Sequence, residues 1–245
     1  MKRITESSPR LKARIAGLIY LITIVTGIFG LGFVRGRLVV DGDAAATATN
    51  ILAHESLFRL GFVAVLVGTA SYVAVTALLY ALLKPVNPSL SLHAAFFSLV
   101  GCAVWALGCV FNLAQFVVLG GEQYLSVFKP EQLQALALML LKLNGEAFSV
   151  GMVFFGFYCL LIGYLIFRST FLPRIVGMLM ALAGLGHLIA MFANFLSPAF
   201  ADHLFPYILW PGLLGEGSVT LWLLVMGVNA SSWKKQANAA METRS

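Results

Sequence analysis

Two ionisable side chains lie within otherwise apolar stretches of the sequence. Glu216 is part of the segment WPGLLGEGSVTLWLL, and His187 is part of IVGMLMALAGLGHLIAMFAN. A charge near the middle of a lipid bilayer costs about 2.5–3.5 kcal/mol on insertion scales, so such a group normally faces the protein interior and finds a partner. Glu216 is therefore expected either to be protonated or to meet a cation or a hydrogen-bond donor. As an acid and a base, the two residues could exchange protons with a bound molecule.

Further polar residues are predicted at a similar depth in other apolar segments. His187 lies 13 residues beyond Arg174, which is about 20 Å along a helix. The simplest arrangement is a polar pocket that opens to the outside, with Glu216 and His187 deepest. Its predicted lining is Glu216, His187, Asn194, Asn112, Gln115, Arg59 and Glu146.

A structural explanation of the same residues stays open. Asn112, Gln115 and Asn194 would then only join neighbouring helices through hydrogen bonds. Arg59 and Glu146 would be ordinary charges at the membrane interface. His187 would be a buried histidine whose hydrogen bonds are satisfied.

The sequence indicates no metal site and leaves the cofactor unknown. His187, Glu216 and His54 are metal ligands by residue type, but no local spacing such as HxxxH supports a site. No P-loop, serine nucleophile elbow or Rossmann fingerprint occurs. The three cysteines lie in apolar runs without a CxxC spacing, which predicts core-filling thiols. They are Cys102, Cys109 and Cys159.

The composition indicates that most of the chain lies in lipid instead of water. Of the 245 residues, 60% are hydrophobic and 11% are charged, whereas a soluble domain carries roughly 25% charged residues. The net charge of +6 does not indicate nucleic-acid binding, because the basic residues lie near the predicted helix ends. The partners expected are the lipid bilayer and a small-molecule or lipid ligand, and the oligomeric state stays unknown.

The fold class predicted is all-α, a membrane bundle of six transmembrane helices. The predicted spans are 15–34, 57–83, 90–119, 148–167, 175–194 and 211–228. Asp41 or Asp43 is expected to cap a helix over residues 44–52. A short interfacial helix is predicted in the long loop between the third and fourth spans, where PEQLQALALMLLKLN begins at Pro130. On the fifth span, Gly177, Ala181 and Gly184 predict a small-residue face that another helix approaches closely.

The basic residues predict the orientation of the protein in the membrane. With both termini in the cytoplasm, 11 of the 16 lysines and arginines fall on the cytoplasmic side, as the positive-inside rule requires. Residues 1–230 are expected to form one six-helix transmembrane domain. Residues 231–245 are expected to be a polar, frayed cytoplasmic tail. The 11 residues are Lys2, Arg3, Arg10, Lys12, Arg14, Lys84, Arg168, Arg174, Lys234, Lys235 and Arg244.

Several segments together resemble a known family. RIAGLIYL, GDAAATATNIL, FRLGF, LLKPVNPSLSL, FKPEQLQALAL and FLPRIVGMLMALAGLGHL are similar to a bacterial family of six-helix membrane proteins known only as a domain of unknown function. The resemblance extends from about residue 14 to residue 222. It implies a multi-pass protein of the bacterial cytoplasmic membrane, and it brings no activity, substrate or catalytic residue.

Three functions remain as hypotheses. The first is binding or transport of a small molecule or ion through the outward-facing polar pocket, with Glu216 as the titrating group. The second is an intramembrane enzyme that acts on a lipid or quinone, with His187 and Glu216 as acid and base. The third is a structural or regulatory membrane subunit. Whether the protein is an enzyme is therefore undecided from the sequence.

Overall fold

The computed structural model describes residues 8–204 and 207–242, and all regular structure in these ranges is helical. The first helix, α1 (Pro9–Gly27), continues through a π-helical segment (Ile28–Val34) into one further α-helical turn (Arg35–Leu38). The following helices are α2 (Ala44–Ala53), α3 (Glu55–Leu83), α4 (Pro88–Leu119), α5 (Pro130–Arg168), α6 (Arg174–Leu196), α7 (Pro198–Leu204), α8 (Leu209–Val225) and α9 (Ala230–Glu242). A short 3₁₀ segment, Gln123–Val127, precedes α5.

Five of these helical stretches are long and apolar enough to cross a membrane: Pro9–Leu38, Glu55–Leu83, Pro88–Leu119, Pro130–Arg168 and Arg174–Leu196. The sixth predicted span corresponds to α8, which has 17 residues and is bent by 105° from α9. Seventeen residues is the short limit for a transmembrane helix. The all-helical membrane fold predicted from the sequence is therefore confirmed, and the bent α8–α9 pair makes the six-span count plausible.

Local sequence signals explain several helix boundaries. The side chain of Asp43 accepts a hydrogen bond from the amide of Ala46 over 2.9 Å, which caps α2 as predicted. Asn87 accepts in the same way from Leu90 at the start of α4, over 3.0 Å. Gly227 follows α8 with φ of +70°, a left-handed conformation that favours glycine at a helix end.

The separate interfacial helix was a wrong prediction. Residues 130–144 are the first part of α5, a continuous helix of 39 residues that includes the fourth span. The sequence LNGE looks like a turn, but Asn144 donates its side-chain amide to the carbonyl of Gly108 over 2.9 Å. With this polar side chain satisfied, α5 has no reason to break there. The fraying expected after residue 230 was also wrong, since residues 230–242 form α9. That residues 231–245 are a polar cytoplasmic tail stays a prediction.

The structure divides into two compact units. Among the described residues, unit 1 contains those up to Leu21, Tyr72–Gly101, and those from Met152 onward. Unit 2 contains Ile22–Ser71 and Cys102–Gly151. The single domain predicted for residues 1–230 stays a prediction. Lys2, Arg3 and Arg244, which the orientation argument uses, lie outside the described residues.

In unit 1, glycines allow α5 and α6 to pack with their backbones close together. A Cβ atom on Gly184 would lie 2.6 Å from the carbonyl oxygen of Gly156, and one on Gly177 would lie 2.7 Å from the carbonyl oxygen of Gly163. The predicted small-residue face of the fifth span is therefore a close helix contact. Gly156 and Gly163 of α5 provide the matching face.

The last helix, α9, is attached to other parts of unit 1. The indole N–H of Trp233 donates to the carbonyl of Leu82, at the end of α3, over 2.8 Å. The side-chain oxygen of Gln236 accepts from the amide and the hydroxyl of Thr170, over 3.0 and 2.9 Å. Thr170 belongs to the turn between α5 and α6, so α9 is held at two places.

In unit 2, the core is formed where the π-helical segment and the turn after it meet α2, α3 and α5. Its buried members are Val34, Leu38, Ile51, Phe58 and Leu141. These residues hold the turn Arg35–Leu38 against the neighbouring helices.

Candidate functional site

Unit 1 brings His187 and Glu216 into direct contact. Nε2 of His187 lies 3.0 Å from Oε1 of Glu216, and their side chains are 14% and 20% exposed. The glycine at position 212, one turn before Glu216 on α8, makes room for the imidazole. A Cβ atom there would lie 2.6 Å from Cε1 of His187.

A second contact on Glu216 extends the hydrogen-bond chain into the protein. The hydroxyl of Tyr20, on α1, donates to Oε2 of Glu216 over 2.8 Å. The hydroxyl of Tyr72, on α3, lies 3.1 Å from that of Tyr20. A tyrosine hydroxyl has one proton to donate, and Tyr20 uses its own for Glu216, so Tyr72 is the donor to Tyr20. The chain therefore runs from Tyr72 through Tyr20 to Glu216 and His187.

The inner end of this chain is sealed and the outer end is partly open. Tyr20 is fully buried and Tyr72 is 3% exposed. The ring of Tyr72 lies 4.6 Å from the ring of Phe155 and edge-on to it, which fixes its position. At the other end, Nδ1 of His187 has no hydrogen-bond partner among the described residues. The side chains of His187 and Glu216 at this end are 14% and 20% exposed.

The contact between His187 and Glu216 holds one proton. If Glu216 is ionised, Nε2 of His187 carries the proton and donates it. If Glu216 is protonated, its acid group donates to a neutral His187. In either state Oε1 of Glu216 keeps its contact with Nε2 of His187, and Oε2 keeps the hydrogen bond from Tyr20.

A cysteine lies beside this pair. The thiol of Cys159, on α5, and ligand atoms of His187 and Glu216 all lie within 4.8 Å of one another. By residue type these three groups are able to bind a metal ion. The sequence predicted no metal site, because no local ligand spacing such as HxxxH supports one. That prediction stays untested.

The other predicted pocket residues occupy different surroundings. Asn194 lies on α6 two turns beyond His187, and no side-chain hydrogen bond joins it to the pair within the described ranges. Asn112, Gln115, Arg59 and Glu146 belong to unit 2. Their common pocket with Glu216 and His187 stays a prediction.

Two buried amides of unit 2 bond to each other. Nε2 of Gln115 donates to Oδ1 of Asn112 over 3.2 Å, and both side chains belong to α4. Gln115 is fully buried and Asn112 is 9% exposed. This bond is therefore within one helix, unlike the interhelical bonds that the structural explanation expects.

Two charged residues of unit 2 are surface groups. Arg59 pairs with Glu55 at 2.6 Å, with the side chains 57% and 50% exposed. Its guanidinium also lies 4.0 Å above the ring of Phe116. Glu146 is exposed. Their surroundings resemble those of interfacial charges.

The sequence did not reveal Tyr20, Tyr72 and Cys159 as neighbours of Glu216. A signal was present for the tyrosines, since a hydroxyl inside an apolar helix needs a hydrogen-bond partner. Which helix supplies that partner depends on the packing, and no local spacing records it.

Comparisons with known proteins place the chain in a family. An uncharacterised protein of the archaeon Archaeoglobus fulgidus is 24% identical over 155 residues, which is 63% of this chain and 76% of the relative. No solved structure matches. Residues 15–227 match the domain of unknown function DUF4386. That match covers most of the chain and confirms the resemblance seen in the sequence, so this protein is a member of the DUF4386 family.

Proposed function

We propose that this protein binds a small molecule or ion within the membrane and transports it in a way coupled to protons, with Glu216 as the titrating group. The observation that supports this proposal is the hydrogen-bond chain from Tyr72 to His187. It holds a carboxyl group inside apolar helices and supplies a partner for each of its protonation states. A carboxyl group that exchanges a proton can couple proton movement to ligand binding.

The coupling follows from electrostatics in a medium of low polarity. A cation that approaches the partly open end would favour ionised Glu216, because opposite charges attract strongly where water is scarce. Protonation of Glu216 would remove that attraction and release the cation. An anionic ligand would favour the protonated form, because like charges repel. The sign of the coupling thus depends on the charge of the ligand.

Everted membrane vesicles test the proposal directly. Respiration acidifies them, and a weak-base dye reports the pH gradient. Solutes are then added in turn: alkali cations, divalent cations, small organic amines and carboxylates. In vesicles with the wild-type protein, we expect at least one class to dissipate the gradient. The Glu216→Gln variant should show only the background of vesicles without the protein, because an amide cannot exchange the proton.

A matched control is Cys159→Ser. The thiol lies beside the pair, but no hydrogen bond joins it to His187 or Glu216 among the described residues. This variant should keep the flux. If Cys159→Ser loses the flux and the purified wild-type protein contains metal, Cys159, His187 and Glu216 form a metal site instead of a proton site. If no solute dissipates the gradient faster than in empty vesicles, transport is the wrong function.

An intramembrane enzyme is the second candidate, and the orientation of His187 favours it. Glu216 contacts the imidazole through Nε2, and Nδ1 makes no hydrogen bond among the described residues. A carboxylate on one ring nitrogen can position a histidine so that the other nitrogen acts as general base. Membrane lipids and quinones, incubated with the protein and analysed by mass spectrometry, would test this reading. A product that forms with the wild-type protein and not with Glu216→Gln would favour the enzyme.

We also propose that the protein lies in the cytoplasmic membrane of a bacterium, with both termini in the cytoplasm. The excess of lysine and arginine on that side, 11 of 16, supports this orientation. A fluorescent protein fused after α9 should then fluoresce, and alkaline phosphatase fused at the same point should stay inactive. An active phosphatase and a dark fluorescent protein would reverse the orientation.

A further inference from the structure

Unit 1 contains a groove that the proposed function does not use. The end of α3 and the turn after it form one side of the groove, and α9 forms the other. Its free volume is about 390 Å³, which lies in the range of pockets that hold small organic ligands. None of the residues of the Glu216 chain lines it.

This groove lies where apolar helices of unit 1 end. Helix α3 ends at Leu83, α5 at Arg168 and α8 at Val225. Helix α9 is bent by 105° from α8, and its hydrogen bonds to Leu82 and Thr170 hold it across the ends of α3 and α5. A helix that crosses the ends of membrane-spanning helices lies at the surface of the bilayer, among the lipid head groups.

The sequence of α9 suits this position. Trp233, Ala237 and Met241 recur at intervals of four residues and form an apolar strip along the groove. Tryptophan and lysine on one amphipathic helix are typical of helices that lie in the head-group region. The polar positions of α9 include Lys234, Lys235, Gln236 and Asn238.

Two lysines give the groove a positive charge. Lys84 lines it from the turn after α3, and Lys234 lines it from α9. Both are exposed, so an ion at the membrane surface can reach them. No aspartate or glutamate of the described ranges lies within 4.0 Å of either ammonium group. Glu242, the acidic residue of α9, is not part of the lining. The groove therefore favours an anion.

An anionic phospholipid matches both the charge and the apolar strip. Its phosphate accepts hydrogen bonds from ammonium groups, and each lysine near the membrane surface adds to the attraction for anionic lipids. The first methylene groups of its acyl chains suit the strip from Trp233 to Met241. A choline head group carries an additional positive charge, which the two lysines repel.

We propose that this groove binds an anionic phospholipid of the surrounding bilayer, with the phosphate at Lys84 and Lys234 and the start of the acyl chains against Trp233 and Met241. The lysines select the charge of the head group, and the apolar strip selects a lipid over a soluble phosphate. This site shares no residue with the Glu216 chain and does not depend on the proposed transport.

Native mass spectrometry of the full-length protein, released from micelles of an uncharged detergent, tests the proposal. The probe is dioleoyl phosphatidylglycerol, and dioleoyl phosphatidylcholine provides the same acyl chains with a zwitterionic head. We expect the first phosphatidylglycerol to bind at least about tenfold more tightly than the first phosphatidylcholine. In the double variant Lys84→Gln/Lys234→Gln, this preference should fall to about twofold or less.

Lys235→Gln is the matched control for Lys234→Gln. It removes the same charge from the next residue of α9, which does not line the groove. Lys234→Gln should weaken the binding of phosphatidylglycerol about fivefold, whereas Lys235→Gln should leave it unchanged. Equal weakening in the two variants would mean that the lipid responds to the total charge of α9, and the groove would not be its site.

Two further measurements protect the test against misfolding and separate the sources of phosphate. Ala237→Leu fills the groove without a change of charge and should weaken the binding of phosphatidylglycerol. Glycerol 3-phosphate, a soluble anion, should not compete with the lipid. If the double lysine variant does not fold, Ala237→Leu and the comparison of the two lipids on the wild type decide. Equal binding of the two lipids, unchanged binding in Ala237→Leu, or competition by glycerol 3-phosphate at the same concentration would overturn the proposal.

Discussion

We expect His187→Ala to lower the free energy of unfolding by more in the wild-type background than in a Glu216→Ala background. In the wild type, the change leaves Oε1 of a partly buried carboxyl group without its partner at 3.0 Å. In the Glu216→Ala background that carboxyl group is already absent, so His187→Ala removes only the packing of the imidazole. The difference, the coupling energy, should be about 1–3 kcal/mol, the upper part of the range for residues in one hydrogen-bond network. Titration with SDS in mixed micelles measures the free energy of unfolding of the wild type, the two single variants and the double variant.

The exposed pair Arg59–Glu55 is the control for this cycle. Its atoms are closer, at 2.6 Å, but the side chains are 57% and 50% exposed. Water screens such a pair, and its coupling should stay below about 0.5 kcal/mol. Additive effects of the changes at His187 and Glu216, within about 0.5 kcal/mol, would show that the two residues are not energetically coupled.

Gly163→Ala should be among the most destabilising single-methyl changes in unit 1. A Cβ atom at position 163 would lie 2.5 Å from the amide nitrogen of Ala181 and 2.7 Å from the carbonyl oxygen of Gly177. Both are backbone atoms of α6, so the two helices must separate. Overpacking of this kind costs roughly 1–3 kcal/mol, and the better helix propensity of alanine returns up to about 1 kcal/mol. We expect a net loss of about 2 kcal/mol in the same SDS unfolding assay.

Gly217→Ala makes the same chemical change where space is available. Position 217 also lies within a helix, α8, and a Cβ atom there meets no other atom within 4 Å. The free energy of unfolding of Gly217→Ala should equal that of the wild type or exceed it by up to about 1 kcal/mol. A similar loss in both variants would mean that glycine is needed for the backbone itself, and that close packing of α5 and α6 is not the reason.

Much of the helix pattern could be predicted from the sequence because lipid imposes it. A backbone inside a bilayer must bond to itself, so apolar runs of sufficient length become helices. The cap at Asp43 and the small-residue face around Gly177 and Gly184 are local features with local causes. They were predictable for that reason.

The predictions that failed involve contacts between distant parts of the chain. The sequence around Asn144 and Gly145 has the composition of a turn. It stays helical because Asn144 bonds to Gly108 and Gly145 leaves space for Arg35. The rotation of each helix about its axis is set by packing, and only that rotation shows that Tyr20 reaches Glu216.

The attachment of α9 has a consequence for the order in which the protein matures. Leu82 is synthesised 151 residues before Trp233, whose indole N–H bonds to its carbonyl. Chains are made from the amino terminus at about 5–20 residues per second, and their parts begin to fold as they emerge. The bond can therefore form only after the 151 residues that follow Leu82, up to Trp233, have been added to the chain. Until that point in synthesis, unit 1 lacks the contact between α9 and the end of α3.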